Sequence, residues 1–117
     1  MKDYHNMCFF GERTKHAISR ATYNKLKKGD IIQFGIGARV GGYSPCRSRV
    51  VSLGKISSEK KKIAQVCLDA YNKVVEWLKE GVMAKEVAKK YYDYVEKRGF
   101  KDSLLYGPCH GTGMLGK

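Results

Sequence analysis

The apolar residues of this chain change period once, near residue 57, and that change limits the fold more than any other feature of the sequence. After a Gly29-Asp30 turn signal, DIIQFGIGA is a β-rich segment in which Ile31, Ile32, Phe34 and Ile36 can pack. Gly41-Gly42 follows, and SPCRSRVVSL resumes with β-branched residues, so the two segments read as a hairpin. Beyond Ser57 the step becomes three or four. Ile63, Cys67, Ala70, Tyr71, Val74 and Leu78 share one helical face that Trp77 widens, and Gly81 stands where a helix would stop. A second helix is predicted over 83–98, with Ala84, Val87, Ala88, Tyr91 and Val95 inward, Lys85, Lys89, Lys90 and Lys97 outward, and Gly99 as its stop. A strand pair followed by a helix pair makes the chain α/β.

Finer expectations follow from single residues. Pro45 cannot donate a ladder hydrogen bond, which places the start of the second strand at an edge or bulge. Gly35 and Gly37 are poor strand formers and imply close approach by another backbone or a ligand. Ser57 or Ser58 can cap the first helix, with Glu59 in its first turn. Tyr91, Tyr92 and Tyr94 read as core and core rim.

With 117 residues the chain is expected to form one domain, 1–117. No apolar run approaches a membrane span, and the N-terminus lacks the continuous apolar stretch of a secretion signal, so a cytoplasmic protein without membrane contact is expected. Cys8, Cys46, Cys67 and Cys109 form no CxxC pair and read as reduced thiols, while the scattered His5, His16 and His110 exclude a helix-borne HExxH motif. The 23 Lys and Arg against 11 Asp and Glu leave a net charge of +12. Arg39, Arg47, Arg49, Lys60, Lys61 and Lys62 are the candidate binding residues for a polyanion or an acidic protein. A lysine excess that merely keeps the protein soluble fits the same composition.

The tail, SLLYGPCHGTGMLGK, sets His110 among Gly107, Gly111 and Gly113, where the backbone can come close to a ligand. Read in order, Gly11-Glu12-Arg13-Thr14, Lys25 to Asp30, Gly37-Ala38-Arg39, Gly42-Tyr43, Ser48-Arg49, the two helices divided by Gly81 to Val87, and His110-Gly111-Thr112-Gly113 resemble the pita-bread metallopeptidases. That family, M24, includes Xaa-Pro aminopeptidase, prolidase, methionine aminopeptidase and the creatinases. The resemblance implies a partial pita-bread fold, a curved and mainly antiparallel sheet with two helices on one face. It also implies two divalent metals (Mn, Co or Zn) held by two Asp, one His and two Glu. A pair of close cations needs several carboxylates to offset its charge and to keep a bridging water deprotonated. On this chain the first Asp position falls on Gly35 and the second on Cys46; only His110 matches a ligand, and the two Glu positions fall after Lys117. The family's substrate-assisting His falls on Ile18, two residues from His16.

These departures predict a metallopeptidase-like domain that has lost its dimetal centre and is not catalytic as it stands, with no cofactor. Loss of both Asp, with Arg47 beside the second ligand position, is expected to turn a strongly negative pocket neutral or positive. Two alternatives stand beside this reading: a piece of an active metal-dependent aminopeptidase or Xaa-Pro dipeptidase, and a basic binding module for nucleic acid or acidic protein. A homo-oligomer, a dimer above all, is expected from a domain that presents only part of its family's sheet.

Overall fold

The computed structural model describes residues 7–16, 22–38, 40–43, 45 and 47–111. The chain divides into two compact units, Met1–Ser57 with Gly111–Lys117, and Ser58–His110.

The first unit carries a three-stranded antiparallel sheet of β1 (Met7–Phe10), β2 (Ile31–Ile36) and β3 (Arg47–Ser52), in that spatial order. The hairpin of β2 and β3 forms as the sequence predicts. At its tip Val40 and Tyr43 exchange two backbone hydrogen bonds of 3.0–3.1 Å around Gly41 and Gly42, whose φ angles are 58° and 86°. Two successive left-handed residues match the right-handed twist of the flanking strands, and glycine takes that conformation without steric cost. β3 is an edge strand and Pro45 lies just outside it. The base of the hairpin is tied by Asp30, whose carboxylate accepts from the Lys27 N–H at 2.9 Å, while Leu53 N–H donates to the Asp30 carbonyl at 3.0 Å.

β1 pairs with β2 from Met7 opposite Gly35 to Phe10 opposite Ile32. Its MCFF segment fills the sheet beside β2, and Phe9, at 3% exposure, is the most buried side chain among the described residues of this unit. Because directly opposed residues share a face, Met7, Phe9, Gln33, Gly35, Ser48 and Val50 stand on one side of the sheet. Cys8, Phe10, Ile32, Phe34, Arg47 and Arg49 stand on the other.

The second unit is a helix pair, α1 (Ser58–Trp77) and α2 (Ala84–Glu96), with a short 3-10 turn at Lys101–Ser103. Ala70 and Val74 of α1 and Val87 and Val95 of α2 are its buried residues, and Val87 is wholly enclosed. The core is narrower than the periodicity predicts. Ile63, Cys67, Tyr71 and Leu78 remain exposed, as does Ala84, while Ala88 and Tyr91 are half-buried. Small and β-branched side chains thus form the centre of the pair, with the tyrosines at its rim: Tyr91 and Tyr92 meet edge to face, their centroids 5.6 Å apart.

The two glycine stops behave differently. Gly99, at φ 76°, sits in a double closure in which its own N–H donates to the Glu96 carbonyl and the Phe100 N–H donates to the Val95 carbonyl. That pairing satisfies two of the carbonyls a helix end leaves open. Gly81 also has positive φ, but α1 ends four residues before it, so Gly81 belongs to the connecting turn and not to the helix cap.

Candidate functional site

The hairpin positions the first expected ligand location in the middle of a strand. Gly35 lies on β2 between Met7 of β1 and Ser48 of β3 and offers no donor atom. Met7 borders the space a side chain would enter: a Cβ built on Gly35 would make ordinary van der Waals contact with the Met7 methyl carbon at 3.4 Å and the Met7 Cβ at 3.6 Å. Gly35 does not adopt a left-handed conformation, so neither φ nor backbone crowding demands glycine here. What approaches Gly35 is a thioether side chain, a soft and apolar group.

Cys46, the second location, lies outside the described residues, as do Arg39 and Ile18. Arg47 and Arg49 are exposed neighbours on one face of β3. Arg47 opposes Ile36 and Arg49 opposes Phe34, so both stand on the face away from Gly35. The Gly35 face receives Ser48 and Val50 from β3, neither of them charged. The Arg49 Nη1 donates to the Ser48 carbonyl at 2.8 Å.

His110 is exposed and belongs to the second unit. Among its flanking glycines, Gly111 has open space around the position of a Cβ, and at Gly107 the closest atom is the Tyr92 hydroxyl at 3.7 Å. Neither is forced to be glycine by a neighbour; Gly113 lies outside the described residues. His16 is exposed at the end of a 3-10 turn, Gly11–Lys15, where its N–H donates to the Arg13 carbonyl at 3.1 Å. Among the described residues, no group of three or more His, Cys, Asp and Glu side chains is arranged to hold a metal ion.

Cys8, Cys67 and Cys109 are free thiols. Burial raises the Cys67 thiol pKa although the residue as a whole is exposed, which keeps the sulfur protonated and a poor nucleophile. Burial, with the nearby Cys67 and Tyr92, likewise raises Tyr91. The charged helix surface is ordinary by contrast. Lys89 and Asp93 pair at 2.8 Å, a hydrogen bond that raises the first pKa and lowers the second, and Lys101 is raised by its 2.6 Å bond to Glu96.

The basic candidates are divided between the units, with Arg47 and Arg49 in the first and Lys60, Lys61 and Lys62 in the first turns of α1 in the second. Sequence reasoning missed two parts of this arrangement, the strand β1 and the placement of Met7 over Gly35. The four-residue run MCFF was the available signal for the first.

Antiparallel strands followed by a helix pair, with a histidine after them, define a partial α/β pita-bread fold. The family model for "Metallopeptidase family M24" matches residues 1–116, and the chain belongs to that family. A Xaa-Pro dipeptidase from Pyrococcus furiosus is 24% identical over 104 residues, 89% of this chain and 30% of that protein. A methionine aminopeptidase from Aquifex aeolicus is 32% identical over 88 residues, 75% of this chain and 34% of that protein. Among solved structures, a prolidase from Thermococcus sibiricus superposes with a TM-score of 0.89 at 27% identity, covering 93% of this chain and 30% of that chain. The chain therefore spans about a third of the length of the relatives it matches. No helix among the described residues is long and apolar enough to cross a membrane.

Proposed function

We propose that this M24 domain, taken as one domain over 1–117, has lost the dimetal centre and acts by binding and not by hydrolysis. The observation that carries the reading is Gly35: the position lacks a carboxylate, and the Met7 side chain lies against the space a carboxylate would need. An M24 centre uses its metals to generate a nucleophile from water and to polarise the scissile carbonyl. Of the donors the family pattern asks for, His110 alone is supplied by a described residue. The present donor set does not fit two divalent ions, and no hydrolytic step is derived for it.

Metal stoichiometry tests this. The purified chain is dialysed against Mn²⁺, Co²⁺ or Zn²⁺, desalted and measured by elemental analysis, with Xaa-Pro dipeptide hydrolysis assayed in parallel. The expected result is less than one ion per chain and no turnover above the metal-only blank. Two retained ions with turnover would overturn the reading.

The extent of the matches supports a second reading, in which the chain is a portion of an active peptidase whose other ligands lie elsewhere. Under that reading, adding the missing portion in trans restores metal retention and hydrolysis together.

Self-association into a dimer, in the cytoplasm, belongs to the same proposal. Its support is the apolar surface left open on β3 and α1, including Val50 at 57% exposure and Leu68 and Val75 at 54%. Light scattering over a wide concentration range tests it, with a concentration-independent monomer as the refuting result.

A further inference from the structure

Within the helix-pair unit, four cations lie over aromatic rings along one seam. Lys90 of α2 sits over Trp77 of α1 at 6.0 Å, and Lys73 of α1 over Tyr94 of α2 at 5.6 Å. The Arg98 guanidinium covers Tyr94 at 3.6 Å, and Lys62 lies over Phe100 at 5.9 Å. The arrangement follows from helical periodicity. Lys62, Lys73 and Trp77 fall within about 60° of one another on α1, and Lys90 and Tyr94 lie about 40° apart on α2, with Arg98 just past its end. Trp77 and Lys62 are separated by about 22 Å at the helical rise, so the seam is long enough to follow an extended strand of polymer.

These cations differ from their neighbours. Lys89 and Lys101 are neutralised by Asp93 and Glu96, whereas Lys62, Lys73, Lys90 and Arg98 form no ion pair among the described residues. The carboxylate of Asp69 on α1 accepts a hydrogen bond from Gln65 at 2.8 Å. Three of the ring contacts are near 6 Å, the outer reach of a cation–π attraction, and an anion that draws the ammonium groups away would uncover the rings.

We propose that this seam binds single-stranded RNA, its phosphates taken by Lys62, Lys73, Lys90 and Arg98 and its bases stacked on the faces of Trp77, Tyr94 and Phe100. Charge alone would accept an acidic peptide equally. The interleaved rings favour nucleic acid, because only a ligand carrying flat bases recovers stacking when the cations turn to phosphate. The proposal is independent of the metal centre, and its failure leaves the reading of Gly35 untouched.

Trp77 is the only tryptophan in the chain and reports on the seam directly. The full chain is titrated with a 12-nucleotide oligo(U), following Trp77 fluorescence and the anisotropy of labelled RNA between 50 and 200 mM salt. RNA binding is expected to quench Trp77. The slope of log K against log salt is expected near −3, from about −0.7 for each of four single-strand contacts. Lys73→Gln with Arg98→Gln should flatten that slope by about 1.4 and weaken binding about tenfold or more at 50 mM salt. Lys79→Gln with Lys85→Gln removes the same charge at two lysines that lie over none of these rings and should leave the slope within about 0.5 of the parent. Far-UV circular dichroism verifies that each variant is folded. RNA binding without Trp77 quenching, equal slopes in the two double variants, or polyglutamate competing as strongly as RNA would each overturn the proposal.

Discussion

Replacing Gly35 by aspartate separates a glycine required by packing from one that marks a missing ligand. The backbone at Gly35 is not left-handed, so a side chain adds no φ strain, and a residue with a Cβ recovers about 0.5–1 kcal/mol relative to glycine in a strand. Against that gain, the Met7 methyl lies 3.4 Å from the new Cβ, an ordinary van der Waals contact, so only the carboxylate beyond the Cβ asks the thioether to turn. The end of a flexible thioether moves at a cost of about 0.5–1.5 kcal/mol, the range of an off-rotamer torsion. The carboxylate itself enters a half-buried position beside the exposed Ser48, where water can still reach it. These terms nearly cancel, and Gly35→Asp should change unfolding free energy by no more than about 1 kcal/mol. Urea denaturation followed by Trp77 fluorescence and by circular dichroism measures it, with Gly35→Ala isolating the Cβ from the charge. A loss above about 2 kcal/mol in both variants would refute the argument, because the space under Met7 would then be unable to accept any side chain. If the argument holds, the ligand position was vacated without being sealed. Gly35→Asp combined with Cys46→Asp should then retain more Mn²⁺ than the parent by elemental analysis.

Three further outcomes follow from the helix pair. Val87→Ala deletes two fully enclosed methyl groups and should cost about 2–3 kcal/mol, read as a lowered urea midpoint, whereas Val75→Ala at a half-exposed site should cost less than about 1 kcal/mol. Gly99→Ala meets no atom within 4 Å but must hold φ near 76°, so a loss of about 1–2 kcal/mol in thermal unfolding is expected from backbone conformation alone. Asp93 has a folded pKa below its unfolded value through its bond to Lys89; that contribution is present above the ordinary carboxylate range and disappears as pH falls through the folded pKa. Melting temperatures of Asp93→Asn and parent should therefore differ near pH 7 and converge in acid.

Local chemistry made the hairpin legible: only residues comfortable at positive φ suit its two-residue tip, and the chain supplies Gly41 and Gly42 there. The second helix was legible for a similar reason, with valines at helical spacing and Gly99 closing it. The first helix was read less well. Its apolar residues cover more than one face, and periodicity cannot say which stripe meets α2; the buried set narrows to Ala70 and Val74. β1 went unread because four residues carry too little alternation to distinguish a strand, and its place depends on pairing across a long connection. The ligand positions came from family resemblance, not from periodicity. That Met7 stands over one of them, and that Arg47 faces away, depends on strand register, which no local pattern in the sequence specifies.

The two connections within the sheet differ in a way that bears on the order of folding. Residues 11–30 join β1 to β2, about twice the length of the connection across residues 37–46 from β2 to β3. Doubling a loop adds about 0.6 kcal/mol to its closure entropy, and β1 contributes four residues of pairing where β3 contributes six. The hairpin is thus the fast and early part of the sheet, and β1 is the strand that joins last and detaches first. Each departure of β1 lifts Met7 from Gly35 and bares that face of the hairpin to solvent. Amide protons of Met7–Phe10 should accordingly exchange ahead of those inside the β2–β3 ladder, and the covering of Gly35 is intermittent on the timescale of that exchange.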